Sequence, residues 1–226
     1  ITGIPYFYRQ FGYEMALELS GRRYGFEPYV PALKKGEFET YRIRPAVDSD
    51  LRFITKLYAR AQKRYAISCM RGMDAFAHEL HGQSRSSIAR FEIRVIEDPR
   101  GRSIGYFQYG EIQGMKMNGL IVVGYELTPG TSWLEVTPAV ARYLWETGQA
   151  YAGRDGRPCT SFGFTLGVQH PAYEVLGEQL PTRREYAYFM RVPDLPAFLR
   201  LVTPVLEERL EKSLAVGYTG SLRLSF

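Results

Sequence analysis

The 226-residue sequence is poor in the residues that most often announce chemistry. It has two cysteines and three histidines. Cys69 and Cys159 lie far apart, so they make neither a disulfide framework nor a zinc spacing, and each reads as a buried small apolar residue. A reducing, cytoplasmic compartment is the expected setting. No apolar run approaches the ~20 residues of a membrane span, and Leu120-Ile121-Val122-Val123 suits a buried strand. The start, Ile1 to Tyr8, lacks the basic region and small-residue cleavage site of a secretory leader. Basic residues outnumber acidic ones by 29 to 24, a net charge of +5, but they are scattered. No block resembles a nucleic-acid-binding arm, and the basic surface reads as solvated. With 45% hydrophobic and 23% charged residues, the chain is an ordinary globular one.

The familiar site motifs are also missing. His78-Glu79-Leu80-His81 spaces its histidines by three residues, whereas a helical zinc site needs four to bring both onto one metal; no metal site is expected. His170-Pro171-Ala172-Tyr173 follows a predicted strand, but no acid or nucleophile lies near it in sequence, so His170 reads as a packing or helix-start residue. No Gly-x-Ser-x-Gly elbow accompanies it. There is no Walker loop and no dinucleotide fingerprint; Ser161 to Gly167 reads as strand.

What is present is a clear alternation of strands and helices. Pro5 at a first turn and Gly12 at a C-terminus predict a short helix over 5–11, with Phe7 and Phe11 on one core-facing side. Residues 13–19 alternate as a strand. The glycines and prolines of 20–39 read as a connector. Tyr41-Arg42-Ile43-Arg44 predicts a strand, followed by a helix capped at Asp48 or Ser49 and carrying Leu51, Ile54, Leu57, Tyr58 and Ala61. A helix is predicted over 72–82, then a hairpin turning at Asp98-Pro99-Arg100-Gly101, then a long strand over 117–127. Thr137-Pro138 predicts a helix start, with Val140, Tyr143, Leu144, Thr147 and Tyr151 as its buried stripe. Strands over 160–166 and 184–192 flank a short helix at 171–177. Asp194 caps a helix to about 214, whose apolar face is Phe198, Leu199, Val202, Val205, Leu206 and Leu210. A last strand is predicted over 217–226. The order is α/β with a mixed sheet.

Three segments carry a resemblance. Ile4-Pro5-Tyr6-Phe7-Tyr8-Arg9-Gln10-Phe11-Gly12-Tyr13-Glu14 resembles the last motif of GNAT-type N-acetyltransferases. Tyr41 to Ala46 with Asp48, Asp50 and Leu51 resembles the opening of another GNAT domain. The stretch from Val192 through Leu210 to Gly220 is similar to the join between a second GNAT domain and a sterol-carrier-like domain, as in the bacterial enhanced-intracellular-survival (Eis-like) acetyltransferases. The resemblance implies a GNAT-like mixed sheet flanked by helices. It implies three parts: 1–37, the remnant of a first GNAT domain plus linker; 38–193, a second GNAT domain; and 194–226, the start of the sterol-carrier-like domain. The start at Ile1, inside an aromatic segment rather than a loose polar edge, fits a piece of a longer chain.

The implied activity is transfer of an acetyl group from acetyl-CoA to a small amine. Tyr8 matches the family's general acid, which would protonate the leaving thiolate. The family's general base is the carboxylate at the protein's own C-terminus; Phe226 is not assigned that role. The family's cofactor cradle is a glycine-bearing turn at a helix N-terminus. The corresponding stretch here, Tyr125 to Pro138, has no such glycine pair, so no cofactor-binding residue is assigned in the second domain. That domain would wall the substrate pocket, and a homo-oligomer is compatible with the family. The rival reading is a non-catalytic structural or interaction module with a GNAT fold, with neither nucleic acid nor membrane as a partner.

Overall fold

The computed structural model describes residues 5–19, 22–65, 68–84, 86–87, 90–113, 118–156, 158–177, 180–181 and 186–221. The chain divides into two units, Glu18–Tyr186 and a smaller one of Ile1–Leu17 with Ala187–Phe226.

Strand alternation builds the larger unit. β4 (Phe91–Glu97) and β5 (Ser103–Gln113) form the expected hairpin. Asp98 closes its turn by accepting the Arg100 and Arg102 backbone N–H groups, each at 2.9 Å, and Gly101 supplies the positive φ of 73°. β3 (Arg42–Pro45) pairs with β4, and β6 (Asn118–Leu127) pairs with β5, both antiparallel. β7 (Ser161–Thr165) lies parallel to β6, and β2 (Arg22–Gly25) lies antiparallel to β7. The six-stranded order is β2-β7-β6-β5-β4-β3, so the sheet is mixed, as the sequence predicts.

Both faces are covered. α2 (Leu51–Ala61) and α3 (Met73–Ala77) bury Leu51, Ile54, Leu57 and Phe76 against Ile93, Val95 and Tyr106. α4 (Trp133–Asp155) and α5 (Ala172–Leu176) cover the other face, where Val136, Val140 and Leu144 meet Phe107, Tyr109, Val122, Phe162 and Phe164. In the smaller unit, α1 (Pro5–Arg9) leads through Gly12 (φ 76°) into β1 (Glu14–Leu19). β1 forms a separate two-stranded sheet with β8 (Tyr186–Met190), and α6 (Leu195–Glu211) follows.

Several sequence expectations are corrected. The connector at 20–39 contains β2 and a 3₁₀ turn at Glu27–Tyr29; Tyr24 is buried, and burial against β7 outweighs the local density of glycine and proline. α4 begins at Trp133 rather than 138. Ser132 is its N-cap, accepting from the Glu135 N–H, and Thr137 is a buried interior residue bonded to the Tyr125 hydroxyl at 3.2 Å. The helix over 72–82 turns π-helical at His78–Gly82. α6 buries none of its residues, and Phe7 and Phe11 are half exposed. Residues 217–221 carry no strand, and 222–226, Phe226 included, lie outside the described residues.

Candidate functional site

β6 and β7 are the one parallel pair in the six-stranded sheet, and α4 is the crossover between them. In open sheets of this kind, ligands bind outside the carboxyl ends of such strands, and the N-terminus of the crossover helix favours a phosphate. The ladder from Gly119↔Ser161 ends at Val122↔Phe164, while β6 continues to Leu127. A bulge contributes to this parting: Tyr109 pairs with Val122 but Gln108 pairs with Gly124, which leaves Val123 over.

Several side chains converge where the strands part. Glu126, 5% exposed, projects from the end of β6. Arg64 reaches it from the turn after α2, donating at 2.5 and 3.1 Å in a two-pronged contact. From the loop after β7, His170, 1% exposed, comes within 3.6 Å of the same carboxylate. Its ring is fixed at both nitrogens: Nε2 donates to the Tyr125 carbonyl (2.9 Å), and Nδ1 accepts the Ala172 N–H (3.2 Å). Trp133, the first residue of α4, stands edge-on to His170 at 5.0 Å and to Tyr125 at 4.8 Å. Tyr65 then ties the strand end down, its hydroxyl donating to the Leu166 carbonyl at 2.7 Å. Burial pushes the Glu126 carboxyl up, but its contacts with His170 and Arg64 outweigh this and hold it below the ordinary range.

The helix N-terminus is also unsuited to a phosphate. Ser132 takes the Glu135 N–H. Glu135 puts a negative charge in the first turn, which already complements the helix dipole. Beside this turn a depression of about 330 Å³ is lined by Leu33, Phe38, Tyr41, Glu37, Glu39 and Glu135, among others. Arg142 belongs to it too, but Glu39 is its ion-pair partner. The carboxylates have the wrong sign for a pyrophosphate. One buried side-chain atom among the described residues has no hydrogen-bond partner, the Thr165 hydroxyl at the end of β7. One hydroxyl is not a cradle, and the described residues at this helix N-terminus do not fit a CoA-type pyrophosphate.

Tyr8 lies in the smaller unit. It is half-buried in α1, and its ring packs against Phe7, Tyr13 and Phe189 at 5.3, 6.3 and 6.0 Å. Its carbonyl accepts the N–H groups of Phe11 and Tyr13, which shapes the turn. Its hydroxyl makes no hydrogen bond to another described residue. His78 and His81 do not converge on one site; His81 instead contacts Asp48. Cys159 is buried and Cys69 exposed; burial raises the Cys159 thiol above its ordinary value. Among the described residues no helix is long and apolar enough to cross a membrane.

The Arg64–Glu126–His170 cluster is not legible in the sequence, because the acid beside His170 comes from a strand more than forty positions earlier. The signal was faint: Glu126 is a lone charge at the end of an apolar strand.

No protein-family model matches the sequence, and no curated protein matches it. Solved structures do. A GCN5-related N-acetyltransferase from Anabaena variabilis is 13% identical, with a TM-score of 0.51 over 83% of this chain and 43% of its own. A probable N-acyltransferase from Enterococcus faecalis is 15% identical, with a TM-score of 0.52 over 83% of this chain and 42% of its own. A tandem GNAT protein from the clavulanic acid biosynthesis pathway is 12% identical, with a TM-score of 0.50 over 81% and 56%. The chain thus spans about half the length of these structures. At such identities the likeness is one of fold, and the fold is the GNAT-type α/β architecture.

Proposed function

We propose that residues 38–193 are a second GNAT domain, one that holds no cofactor, within an Eis-like, acetyl-CoA-dependent N-acetyltransferase. Residues 1–37 then close a first GNAT domain, and 194–226 open a sterol-carrier-like domain. The carrying observation is the cluster at the parting end of the β6–β7 pair, where this type of sheet takes a ligand: Arg64 pairs with Glu126, and His170, bonded to the Tyr125 carbonyl, lies beside the same carboxylate. The domain supports the assembly and walls the site in which a small amine is acetylated. Tyr8 is assigned the general-acid role on the sequence resemblance. Its half-buried ring and its hydroxyl, which has no partner among the described residues, support the assignment.

Trp133 reports on the filled gap. Its indole lies against His170, so a ligand entering there must disturb it. With Trp145→Phe as background, acetyl-CoA should leave the Trp133 emission unchanged. A saturable shift would end this reading and leave the GNAT fold intact.

A further inference from the structure

We propose that the solvent face of α2 is a docking surface for an acidic α-helical segment of another protein. Arg52, Lys56, Arg60 and Lys63 are all exposed. At 3.6 residues per turn Arg52, Lys56 and Arg60 fall within an arc of about 80°, opposite the buried Leu51, Ile54, Leu57 and Ala61, and span about 12 Å of helix axis; Lys63 lies in the 3₁₀ turn Gln62–Arg64 that follows. No acidic residue occurs from Leu51 to Arg64. Among the described residues, none of the four cations makes an ion pair or a side-chain hydrogen bond. The neighbouring cations that do have partners are a contrast: Arg64 is held by Glu126, Arg44 by Asp50 and Glu97, and Arg71 by Glu79.

This arrangement is unfavourable for the helix itself. Arg52–Lys56 and Lys56–Arg60 are like charges four apart, and Arg60–Lys63 are three apart; each pair destabilises the helix. A partner that brings the opposite charge removes that repulsion. The chemistry of the row selects the partner. Its cations recur every three to four residues along one side, the spacing at which carboxylates recur along one face of an antiparallel helix. The positions between them are small. Ala59 is exposed, and the Thr55 hydroxyl turns back onto the Leu51 carbonyl at 2.8 Å, so a second helix can approach closely. Base stacking has no platform here: Phe53 is part-buried in the α2-side core, and the Tyr58 hydroxyl is committed to the Cys69 carbonyl. A lipid surface would need large exposed apolar side chains beside the cations, and none of the residues from Leu51 to Arg64 is one.

The test is fluorescence anisotropy with a labelled, end-capped helical peptide carrying glutamates at positions i, i+4, i+8 and i+11 among alanines and glutamines. It is titrated with the full chain. Saturable binding is expected, weakening at least about tenfold as salt rises from about 0.05 M to about 0.2 M. Binding should be lost in Lys56→Glu/Arg60→Glu and at least about tenfold weaker in Lys56→Gln/Arg60→Gln, each with an unchanged circular-dichroism spectrum. The reversal creates favourable pairs within α2, so loss of folding does not explain its effect. The proposal is overturned if the peptide fails to bind below about 1 mM or if its all-glutamine version binds equally. It is also overturned if a single-stranded oligonucleotide of equal charge binds more tightly, which would make the surface a nucleic-acid site. None of these outcomes bears on acetyl-CoA.

Discussion

The His170 imidazole and the Glu126 carboxylate lie 3.6 Å apart, and each is at most 5% exposed. They come from opposite sides of the gap where β6 and β7 cease to pair, and Arg64 completes the cluster. A buried carboxylate is expensive unless it is paired and hydrogen-bonded. Here the three side chains meet that requirement together at the carboxyl end of β6.

Glu126→Gln leaves the Arg64 guanidinium with no opposite charge in a largely buried position. It should cost about 3 kcal/mol of stability in urea denaturation, the usual order for breaking a buried pair from one side. Adding Arg64→Met removes the stranded charge and should recover much of that loss. Equal stability of the wild type and Glu126→Gln would show that the cluster holds nothing together.

Acid should unfold the larger unit by releasing its paired carboxylates. Hydrogen bonds from Arg44 lower Asp50 from its ordinary 3.8, against the opposing effect of burial. Burial raises Glu92 and Glu126, but Arg94 with its tyrosines, and His170 with Arg64, hold them below 4.5. A carboxyl lower in the folded state contributes fully above its unfolded value and loses that contribution as pH falls through the folded one. The urea midpoint should therefore hold down to about pH 5 and fall steeply towards about pH 3. A flat profile over that range would contradict the pairing.

Gly119 sits where β6 first pairs with β7, and a methyl group there would run into the Ser161 backbone carbonyl. The obstacle is backbone, which cannot swing aside. Gly119→Ala should destabilise the unit by about 3 kcal/mol; a native-like melting temperature would show that the two strands have room.

Tyr8→Phe removes a hydroxyl that bonds to no other described residue and keeps the ring that packs against Phe189. The melting temperature should not change. In an acetylating preparation that contains this chain, kcat should fall by roughly 10²- to 10⁴-fold with little change in KM. Unchanged turnover would remove Tyr8 from the chemistry.

The regular elements were legible because their signals are local. The period-2 alternation of 91–97, the Asp98 to Gly101 turn and the helical spacing of Leu51, Ile54 and Leu57 all formed as read. The misreadings arose where distant contacts decide. Tyr24 makes a strand of a glycine- and proline-rich stretch because β7 lies beside it. Thr137-Pro138 looks like a helix start, yet Ser132 caps the helix earlier and Tyr125 holds Thr137 inside. The apolar stripe of α6 has the periodicity of a buried face, but periodicity does not supply the surface that would bury it. The absence of a glycine cradle between Tyr125 and Pro138 was visible in the residues. The group that closes the gap was not, because Arg64, Glu126 and His170 are brought together only by the fold.

The most direct measurement is calorimetric titration of acetyl-CoA into this chain, at low and at moderate salt. No saturable heat is expected up to about 1 mM. One-to-one binding at micromolar concentration would show that a cofactor site is open, and the claim that this domain holds no cofactor would be wrong.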